Sequence, residues 1–384
     1  MDRTNRAISR RQFLQAVPAA LLLTGCSGRK SQPANTAELV FDHAYPLDYA
    51  AQFTADCYEG GYTLLTIPEA KAKFLVVPPD AATVDGLPED VTVLRQPVEN
   101  IYLVSTSVMD LFLQLDALDC IALSGTRAEG WYLEEAKTAM EAGTIAYAGK
   151  YSAPDYEQIL ASGCSLAIEN TMIYHTPEVK EQLERFGIPV LVERSSYESG
   201  PLARMEWIKF YGILLGKEQL AEQVFARQAE RITPLLDQPS TGKSCAFFSI
   251  TANHLANVRK GGDYVAQMIT MAGGDYVFAH LQDEGSNLST MNLPLEDFYA
   301  GAKDADFLIY NSTIEGAVAS TAELISKFSL LADFKAVKSG NVYCTSQSFF
   351  QQSMELADFV LDLHHLFTGK AAEGQGLHFL IPVN

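Results

Sequence analysis

The chain has 384 residues, of which 48% are hydrophobic and 20% are charged. That apolar content can fill a sizeable core, and the length predicts two domains rather than one. The formal net charge of −19 at pH 7 argues against nucleic acid and anionic membrane surfaces as partners.

Residues 1–25 have the features of an export signal. Four arginines precede the apolar run 16–23, which is far shorter than the roughly 20 residues of a membrane-spanning helix. The sequence SRRQFL at 9–14 resembles the twin-arginine export motif, and LTGC at 23–26 resembles a bacterial lipobox. We therefore predict that Cys26 is the lipid-modified N-terminus, which would anchor the protein to the outer face of the cytoplasmic membrane.

Removal of the signal changes both the charge and the cysteine content. It takes away four arginines and one aspartate, which leaves 24 basic and 46 acidic residues and a net charge of −22. The cysteines beyond Cys26 are widely spaced and odd in number, so they form neither a CxxC metal motif nor a disulfide framework. Buried free thiols are the expected state of these five residues, Cys57, Cys120, Cys164, Cys245 and Cys344.

The chain after the signal divides into sections of different pattern. Residues 26–36 are polar and predict a lipid-bearing tether, whereas 37–97 have short apolar runs between Pro and Gly turns and predict a β-rich extension. From 98 to 200, apolar strands alternate with helices, which is typical of an α/β lobe with a parallel sheet. The same alternation in 239–384 predicts a second α/β lobe. The predicted strands are 101–104, 120–123, 145–147, 166–168, 189–192, 244–250, 307–310 and 342–345, and the predicted helices include 107–118, 177–186, 263–272 and 352–367.

Residues 201–238 predict the helices that connect the two lobes. Apolar residues from Ala221 to Leu236 recur at steps of three and four, which predicts a helix over 218–236 of roughly 28 Å. Pro234 can kink this helix or end it early, because proline lacks an N–H and crowds the preceding turn. Two arrangements fit the pattern: an ordinary helix pair inside one domain, or a stiff strut between two lobes with a cleft between them.

The sequence lacks the usual signals of an enzyme or of a bare metal site. TGKS at 241–244 resembles the end of a phosphate loop, but Asp237 stands where that motif needs glycine. There is no G-x-S-x-G or H-E-x-x-H motif. His364 and His365 are adjacent on a predicted helix, so they cannot face one ion together. We therefore expect a protein that is neither an enzyme nor a histidine-rich binder of zinc or manganese, and the bipartite pattern argues against a purely structural lipoprotein.

Several phrases along the chain resemble the substrate-binding lipoproteins of ABC importers for iron-siderophores, haem and vitamin B12. The resemblance covers roughly 98–369 and includes the order of lipobox, first lobe, connecting helix and second lobe, while the extension 37–97 departs from shorter members. The phrases are IYLVSTS at 101–107, YAGK at 147–150 before PDYE at 154–157, GIPV at 187–190, and GGDY at 261–264 leading to AGGDYV at 272–277.

The resemblance implies two Rossmann-like lobes joined by one long rigid helix, with the ligand held between them. It agrees with the rule that open α/β sheets bind ligands at the carboxyl ends of their strands. A ferric siderophore or a corrinoid is the expected ligand, haem is the second choice, and no resident cofactor or metal is expected. Basic and aromatic residues in the predicted strand-end loops are the candidate ligand contacts, each with plain surface loop as the alternative: Arg127, Lys150, Tyr151, Tyr197, Arg259, Lys260, Phe349 and Phe350.

The same resemblance suggests how a monomer would dock on an ABC permease dimer. Glu157 and Glu296 each lie near the predicted start of a helix, one in each lobe. In the family, one acidic residue on each lobe pairs with arginines of the two membrane subunits, and these two glutamates match by position. The alternative is a pair of helix-start acids that are simply favoured by the helix dipole.

Overall fold

Three main sheets, each formed by a different section of the chain, organise the structure. A computed structural model describes residues 38–236, 238–282, 289–373 and 376–384. The export motif, the lipobox and Cys26 lie outside the described residues. None of the helices in the described ranges is both long and apolar enough to cross a membrane.

The first sheet is formed by the extension. Its five strands follow chain order, with antiparallel pairing up to the fourth strand and parallel pairing between the fourth and fifth. Alternate residues of the third strand, Thr63, Leu65 and Ile67, are buried, as the period of two in a strand requires. The strands are β1 (Phe41–Ala44), β2 (Thr54–Tyr58), β3 (Thr63–Ile67), β4 (Ala72–Val77) and β5 (Val91–Arg95).

The second sheet belongs to the N-terminal lobe and is entirely parallel, in the order β12-β11-β6-β7-β8. A short antiparallel ribbon, β9 with β10, stands beside it. The strands are β6 (Ile101–Leu103), β7 (Ile121–Ser124), β8 (Ala146–Tyr147), β9 (Gly149–Lys150), β10 (Ala153–Pro154), β11 (Leu166–Glu169) and β12 (Val190–Val192), and the helices are α1 (Val108–Gln114), α2 (Glu134–Glu141), α3 (Tyr156–Ala161) and α4 (Pro177–Arg185).

Three helices connect this lobe to the next: α5 (Pro201–Met205), α6 (Trp207–Leu215) and α7 (Glu218–Ile232). All residues of α5 and α6 are buried. Gly216 ends α6 in the left-handed conformation, with φ of 68°, and the chain turns back into α7. A side chain at Gly212 would bring its Cβ to 2.5 Å from that of Ala221, so glycine permits the close packing of α6 on α7.

The connecting helices contact both lobes. In the N-terminal lobe, α6 packs against α1, whereas α7 packs on the last long helix of the C-terminal lobe, Leu356–Thr368. The helix predicted over 218–236 ends at Ile232, and the 3-10 turn Thr233–Leu235 follows, because Pro234 cannot continue the α-helical bonds. The structure thus has a helical hairpin between the lobes, and the rigidity of this linker remains a prediction.

The third sheet belongs to the C-terminal lobe, in the order β16-β14-β13-β17-β18-β19, with β15 also paired to β13. Strands β13, β17 and β18 are parallel, and β14 is antiparallel to β13. The strands are β13 (Lys243–Ile250), β14 (Leu255–Arg259), β15 (Gly274–Tyr276), β16 (Thr290–Pro294), β17 (Phe307–Tyr310), β18 (Val342–Thr345) and β19 (Leu380–Pro382), and the helices are α8 (Tyr264–Met271), α9 (Leu295–Ala302), α10 (Ser312–Glu315), α11 (Thr321–Lys327), α12 (Lys335–Ser339) and α13 (Leu356–Thr368). The predicted α/β class with two lobes is confirmed.

One hydrophobic core runs through the extension, the connecting helices and both lobes. Phe53 of the extension packs on Trp207 and Phe210, with ring centroids 4.9 and 5.3 Å apart. Full burial of each such side chain stabilises the fold by about 1.5–3 kcal/mol. All five described cysteines are free, and Cys120, Cys245 and Cys344 are buried as expected, while Cys57 and Cys164 are half-buried.

Candidate ligand-binding cleft

The parallel strands of each lobe bring several loops to one edge of the sheet. In the N-terminal lobe, loops that follow β7, β8, β11 and β12 meet at the carboxyl edge, and in the other lobe the corresponding loops follow β13, β17 and β18. In open α/β sheets this is the edge where ligands bind. The candidate residues Arg127, Lys150, Tyr151 and Tyr197 all lie in these loops of the N-terminal lobe.

Two arginine–tyrosine pairs occupy this edge of the N-terminal lobe. The guanidinium of Arg127, just after β7, lies 4.0 Å from the ring centroid of Tyr147, which ends the neighbouring strand β8. The guanidinium of Arg194, just after β12, lies 4.4 Å from the ring centroid of Tyr197. Stacking on a ring is worth about 0.5–1 kcal/mol at exposed sites and fixes the plane of the guanidinium. Each pair therefore presents oriented N–H donors that fit carboxylate, phosphate or catecholate oxygens.

Lys150 is the last residue of β9, and Tyr151 follows it in the turn that joins β9 to β10. The Tyr102 hydroxyl donates a hydrogen bond of 2.7 Å to the carbonyl of Gly149, which fixes the start of this turn. Gly149 has φ of 85°, and an added Cβ would collide with the backbone of residues 153–155, so glycine is required. Lys150 is exposed and Tyr151 is half-buried. The turn thus holds a positive charge and a ring at the same edge as the arginine–tyrosine pairs.

A buried acid ends β11, the strand between β12 and β6 in this sheet. Glu169 ends β11 and is fully buried, and neither of its carboxyl oxygens has a hydrogen-bond partner in the described part of the chain. Burial raises the pKa of this carboxyl to about 8, because water no longer solvates the ionised form. Glu169 is therefore mainly a neutral acid at pH 7.

The C-terminal lobe corrects part of the sequence prediction. The sequence analysis places Arg259 and Lys260 in a predicted strand-end loop, but 255–259 are strand β14, which pairs with both β13 and β16. Because β14 is antiparallel to β13, its end points away from the carboxyl edge, and Arg259 and Lys260 are each only 8% exposed. The Arg259 guanidinium lies 3.6 Å from the carboxylate of Asp263 and 4.9 Å from the ring centroid of Phe350. Arg259 is thus already paired.

Phe349 and Phe350 have different environments. Phe349 is fully buried, and its ring lies 4.4 Å from that of Phe359 and 5.5 Å from that of Phe379. Phe349 is therefore part of the core of the lobe and has no surface for a ligand in this structure, contrary to the prediction. Phe350 is half-buried beside Arg259 and keeps an accessible part of its ring.

The segment after Phe350 bridges the two lobes. Gln351 accepts a hydrogen bond of 2.8 Å from the backbone N–H of Tyr132 and donates one of 2.7 Å to the carbonyl of Gly130. Ser353 donates to the carbonyl of Ser107. The backbone N–H of Met354 donates to the buried carboxylate of Asp110 at 2.7 Å, and burial raises the pKa of Asp110 to about 6. The bonds of Gln351 hold the loop that begins at Arg127 against the segment after β18, and the bonds of Ser353 and Met354 hold the start of α1 against the same segment.

A cavity of about 750 Å³ lies beside this bridge and has the opposite character. It is lined by six carboxylates among other residues: Asp110, Asp116, Asp119, Glu134, Glu135 and Glu355. Such a lining repels an anionic chelate. The described residues contain no cluster of three or more His, Cys, Asp or Glu side chains suited to hold a metal ion. The basic strand-end edge is therefore the better candidate for a ligand site.

Several residues of this edge were not among the candidates predicted from the sequence. Arg194 lies two residues after β12, and Tyr147 ends β8, so both could have been found from the strand ends. Glu169 could have been noticed as an acid that ends an otherwise apolar strand. No local sequence pattern indicates the bridging role of Gln351, because its partners are distant in the chain.

The two proposed docking acids are exposed. Glu157 is in the first turn of α3, whose start is capped by Asp155 through a bond of 3.1 Å from the N–H of Gln158. Glu296 is in the first turn of α9, next to the exposed Asp297. Both helix starts thus present acidic side chains to solvent, as do those of α2 with Glu134 and Glu135 and of α4 with Glu178. Their role in docking remains a prediction.

Comparison with known proteins gives two curated relatives in Methanocaldococcus jannaschii, and no family model matches the chain. The first, "Uncharacterized lipoprotein MJ0878", is 25% identical over 269 residues, which cover 66% of this chain and 60% of the relative. The second, "Uncharacterized protein MJ0642", is 28% identical over 174 residues, covering 44% of this chain and 50% of the relative. The chain therefore spans about three fifths and one half of the length of these relatives.

Solved structures define the fold more closely. The periplasmic heme binding protein HutB of Vibrio cholerae superposes with a TM-score of 0.55 at 18% identity and covers 69% of this chain and 98% of its own. An ABC-type Fe3+-hydroxamate transport protein of Saccharomonospora viridis gives 0.56 at 18% identity, with 71% and 94% covered. The vitamin B12 binding protein BtuF of Vibrio cholerae gives 0.51 at 13% identity, with 73% and 99% covered.

The fold is thus that of periplasmic solute-binding proteins. More narrowly, it is the two-lobed fold shared by the heme, ferric hydroxamate and vitamin B12 binding proteins of this class. The resemblance noted in the sequence is confirmed at the level of the fold.

Proposed function

We propose that this protein is the substrate-binding component of an ABC importer. It captures a ferric siderophore or a corrinoid outside the cell and delivers it to a permease dimer. The observation that carries the proposal is the pair of oriented arginines at the carboxyl edge of the N-terminal lobe, Arg127 over Tyr147 and Arg194 over Tyr197. This arrangement suits a ligand that has anionic oxygens and flat apolar surface.

The strongly acidic composition is compatible with an anionic ligand. The field in a cleft depends on nearby charges more than on the net charge of −19. Arg127, Lys150 and Arg194 supply three positive charges at the candidate edge, whereas the buried Glu169 adds little negative charge there at pH 7, because burial raises its pKa to about 8. Haem is the second candidate ligand, because its two carboxylates could pair with the same two arginines.

The proposal includes the anchoring and the domain organisation. The lipid on Cys26 and the tether 26–36 hold the protein outside the cell after twin-arginine export, with no other attachment to the membrane. The extension 37–97 precedes the N-terminal lobe 98–200, the connecting helices 201–238 and the C-terminal lobe 239–384. The protein acts as a monomer and docks through Glu157 and Glu296.

Native mass spectrometry tests this proposal directly. The protein is incubated with haem, a ferric hydroxamate and vitamin B12, and also with spent growth medium. We expect a mass increase with at least one chelate, and loss of that increase in the variant with both Arg127→Ala and Arg194→Ala. The proposal fails if no chelate binds, or if incubation yields a chemically altered product, which would favour a surface-anchored α/β enzyme instead.

A further inference from the structure

A loop of the extension crosses the connecting segment between the lobes and is held there by two buried glutamates. Glu206, between α5 and α6, accepts the backbone N–H groups of Asp48, Tyr49 and Ala50 at 2.9, 2.7 and 2.7 Å. Its carboxylate also accepts a bond of 2.8 Å from the ammonium of Lys209, and it is fully buried. Three successive amides of the loop are therefore fixed by one carboxylate.

The second glutamate, Glu198, binds the next two backbone amides of the same loop. Glu198 accepts the N–H of Ala51 at 3.0 Å and that of Gln52 at 2.9 Å, and its Oε1 also accepts a bond of 2.8 Å from the indole of Trp207. Phe53 then enters the core against Trp207. Buried carboxylates with several N–H donors hold their partners tightly. The backbone of Gln52 consequently has one position relative to the N-terminal lobe.

The side chain of Gln52 reaches the candidate ligand edge. Its Oε1 accepts a hydrogen bond of 3.1 Å from Nε of Arg194, 142 residues along the chain. Arg194 stacks on Tyr197, whose hydroxyl lies 3.0 Å from Oγ1 of Thr171, after β11. A continuous series of contacts thus leads from the fixed loop of the extension to two strand-end loops.

We propose that the extension is part of the ligand site and that Gln52 is the positioning residue for Arg194. The guanidinium has five N–H donors in a planar fork. In Arg194, the Nε–H is donated to Gln52, and the ring of Tyr197 covers one face of the guanidinium. The two Nη groups at the end of the side chain are therefore the donors presented to an anionic group of the ligand. This inference rests on the proposed function, because it names the extension as the element that sets the geometry of the proposed anion contact.

The first test needs no ligand. The Nε–H resonance of Arg194 is recorded by 15N NMR and assigned through its disappearance in Arg194→Lys. In Gln52→Ala we expect this resonance to shift and its hydrogen to exchange faster with water, while Gln52→Glu keeps the acceptor and slow exchange. Gln267→Ala is the matched control, because Gln267 bonds a carbonyl of the C-terminal lobe. An unchanged Nε–H in Gln52→Ala overturns the proposal.

The second test measures binding of haem, a ferric hydroxamate and vitamin B12. For each probe that binds the wild type, we expect Gln52→Ala to weaken binding about three- to tenfold, Gln52→Glu to restore most of it, and Gln267→Ala to have no effect. In an Arg194→Ala background, Gln52→Ala should cause no further loss, because the two residues act as one unit. Independent, additive losses contradict the positioning role. If none of the probes binds the wild type, the proposed function fails, and the NMR result alone decides whether Gln52 holds Arg194.

Discussion

Glu206 accepts the backbone N–H of Tyr49 at 2.7 Å, although 157 residues separate the two in the chain. This bond joins the extension to the segment between the lobes. It makes the extension part of the folded unit, because the same carboxylate also binds two neighbouring amides and Lys209.

The first prediction follows from this bond. Glu206→Ala leaves three amides without their acceptor and a buried ammonium with only the carbonyl of Pro46, and removal of one partner from such a buried pair costs about 3–5 kcal/mol. We expect a large decrease in the urea midpoint of unfolding. Glu230→Ala, which removes an exposed glutamate from α7, is the control and should leave the midpoint nearly unchanged. Equal midpoints for the two variants would show that the bonds of Glu206 contribute little.

The second prediction concerns the pH dependence set by Glu169. Its pKa is about 8 in the folded protein, against 4.5 for the free group. The folded state therefore binds this proton more tightly, and the free energy of unfolding falls as the pH rises from about 4.5 to 8, by on the order of 3–5 kcal/mol in total.

Glu169→Gln replaces the neutral acid by an amide that has no proton to lose. We expect this variant to become more stable than the wild type as the pH is raised from 5 to 9, as measured by urea midpoints at several pH values. The exposed Glu157→Gln serves as the control. Parallel pH profiles for the wild type and Glu169→Gln would contradict the assigned protonation.

The third prediction separates the two arginines first proposed from the sequence. Arg127→Ala should weaken binding of a confirmed ligand by on the order of 1–3 kcal/mol but lower the urea midpoint only slightly, because its exposed stacking on Tyr147 contributes no more than about 1 kcal/mol. Arg259→Ala should instead lower the midpoint, because it leaves the buried Asp263 without its partner. Isothermal titration and urea unfolding distinguish the two effects. Arg185→Ala, at the exposed end of α4, should change neither quantity.

The fourth prediction concerns docking. Exposed charge pairs add only about 0–1 kcal/mol each, but they accelerate encounter and fix orientation. Glu157→Lys combined with Glu296→Lys should abolish uptake in proteoliposomes that contain the cognate importer, with ligand affinity unchanged. Docking of the wild type should weaken as salt rises. Asp297 could replace Glu296, so its lysine variant is tested as well. Normal uptake by the double variant, or equal loss in a Glu141→Lys, Asp304→Lys control, would refute the assignment.

The fifth prediction concerns the anchor. Cys26→Ala should release the protein into a soluble fraction, because the lipid is the proposed attachment to the membrane. Fractionation and immunoblotting of cells that express the variant measure how much of the protein is in the membrane and soluble fractions. Membrane association of a signal-cleaved Cys26→Ala protein would mean that another contact holds it.

Local sequence patterns predicted much of the fold, because strand burial and helix periodicity are local properties. Strands Phe307–Tyr310 and Val342–Thr345 have the predicted bounds. The rule that ligands bind at strand ends also indicated the loops that contain Arg127 and Tyr197, since it needs only the order of strands and helices along the chain.

The remaining features depend on contacts between distant residues. The burial of Arg259 follows from the antiparallel pairing of β14, which no local pattern encodes. Two adjacent phenylalanines look alike in sequence, yet Phe349 is fully buried and Phe350 only half-buried. The bond between Gln52 and Arg194 joins two sections of the chain whose sequence patterns are unrelated.

The two lobes contribute different kinds of groups to the bridge between them. Gln351 and Ser353 contribute side chains from the C-terminal lobe, whereas Gly130, Tyr132 and Ser107 contribute only backbone atoms and Asp110 is the one N-terminal residue that contributes a side chain to the four bonds described above. Substitutions at these three positions of the N-terminal lobe would leave the bonding groups in place as long as the backbone keeps its path. Replacement of Gln351 would remove two bonds at once. The side chains of this contact therefore come mainly from the C-terminal lobe, and an N-terminal lobe exchanged from a related protein should preserve the contact if it keeps an acid at the position of Asp110.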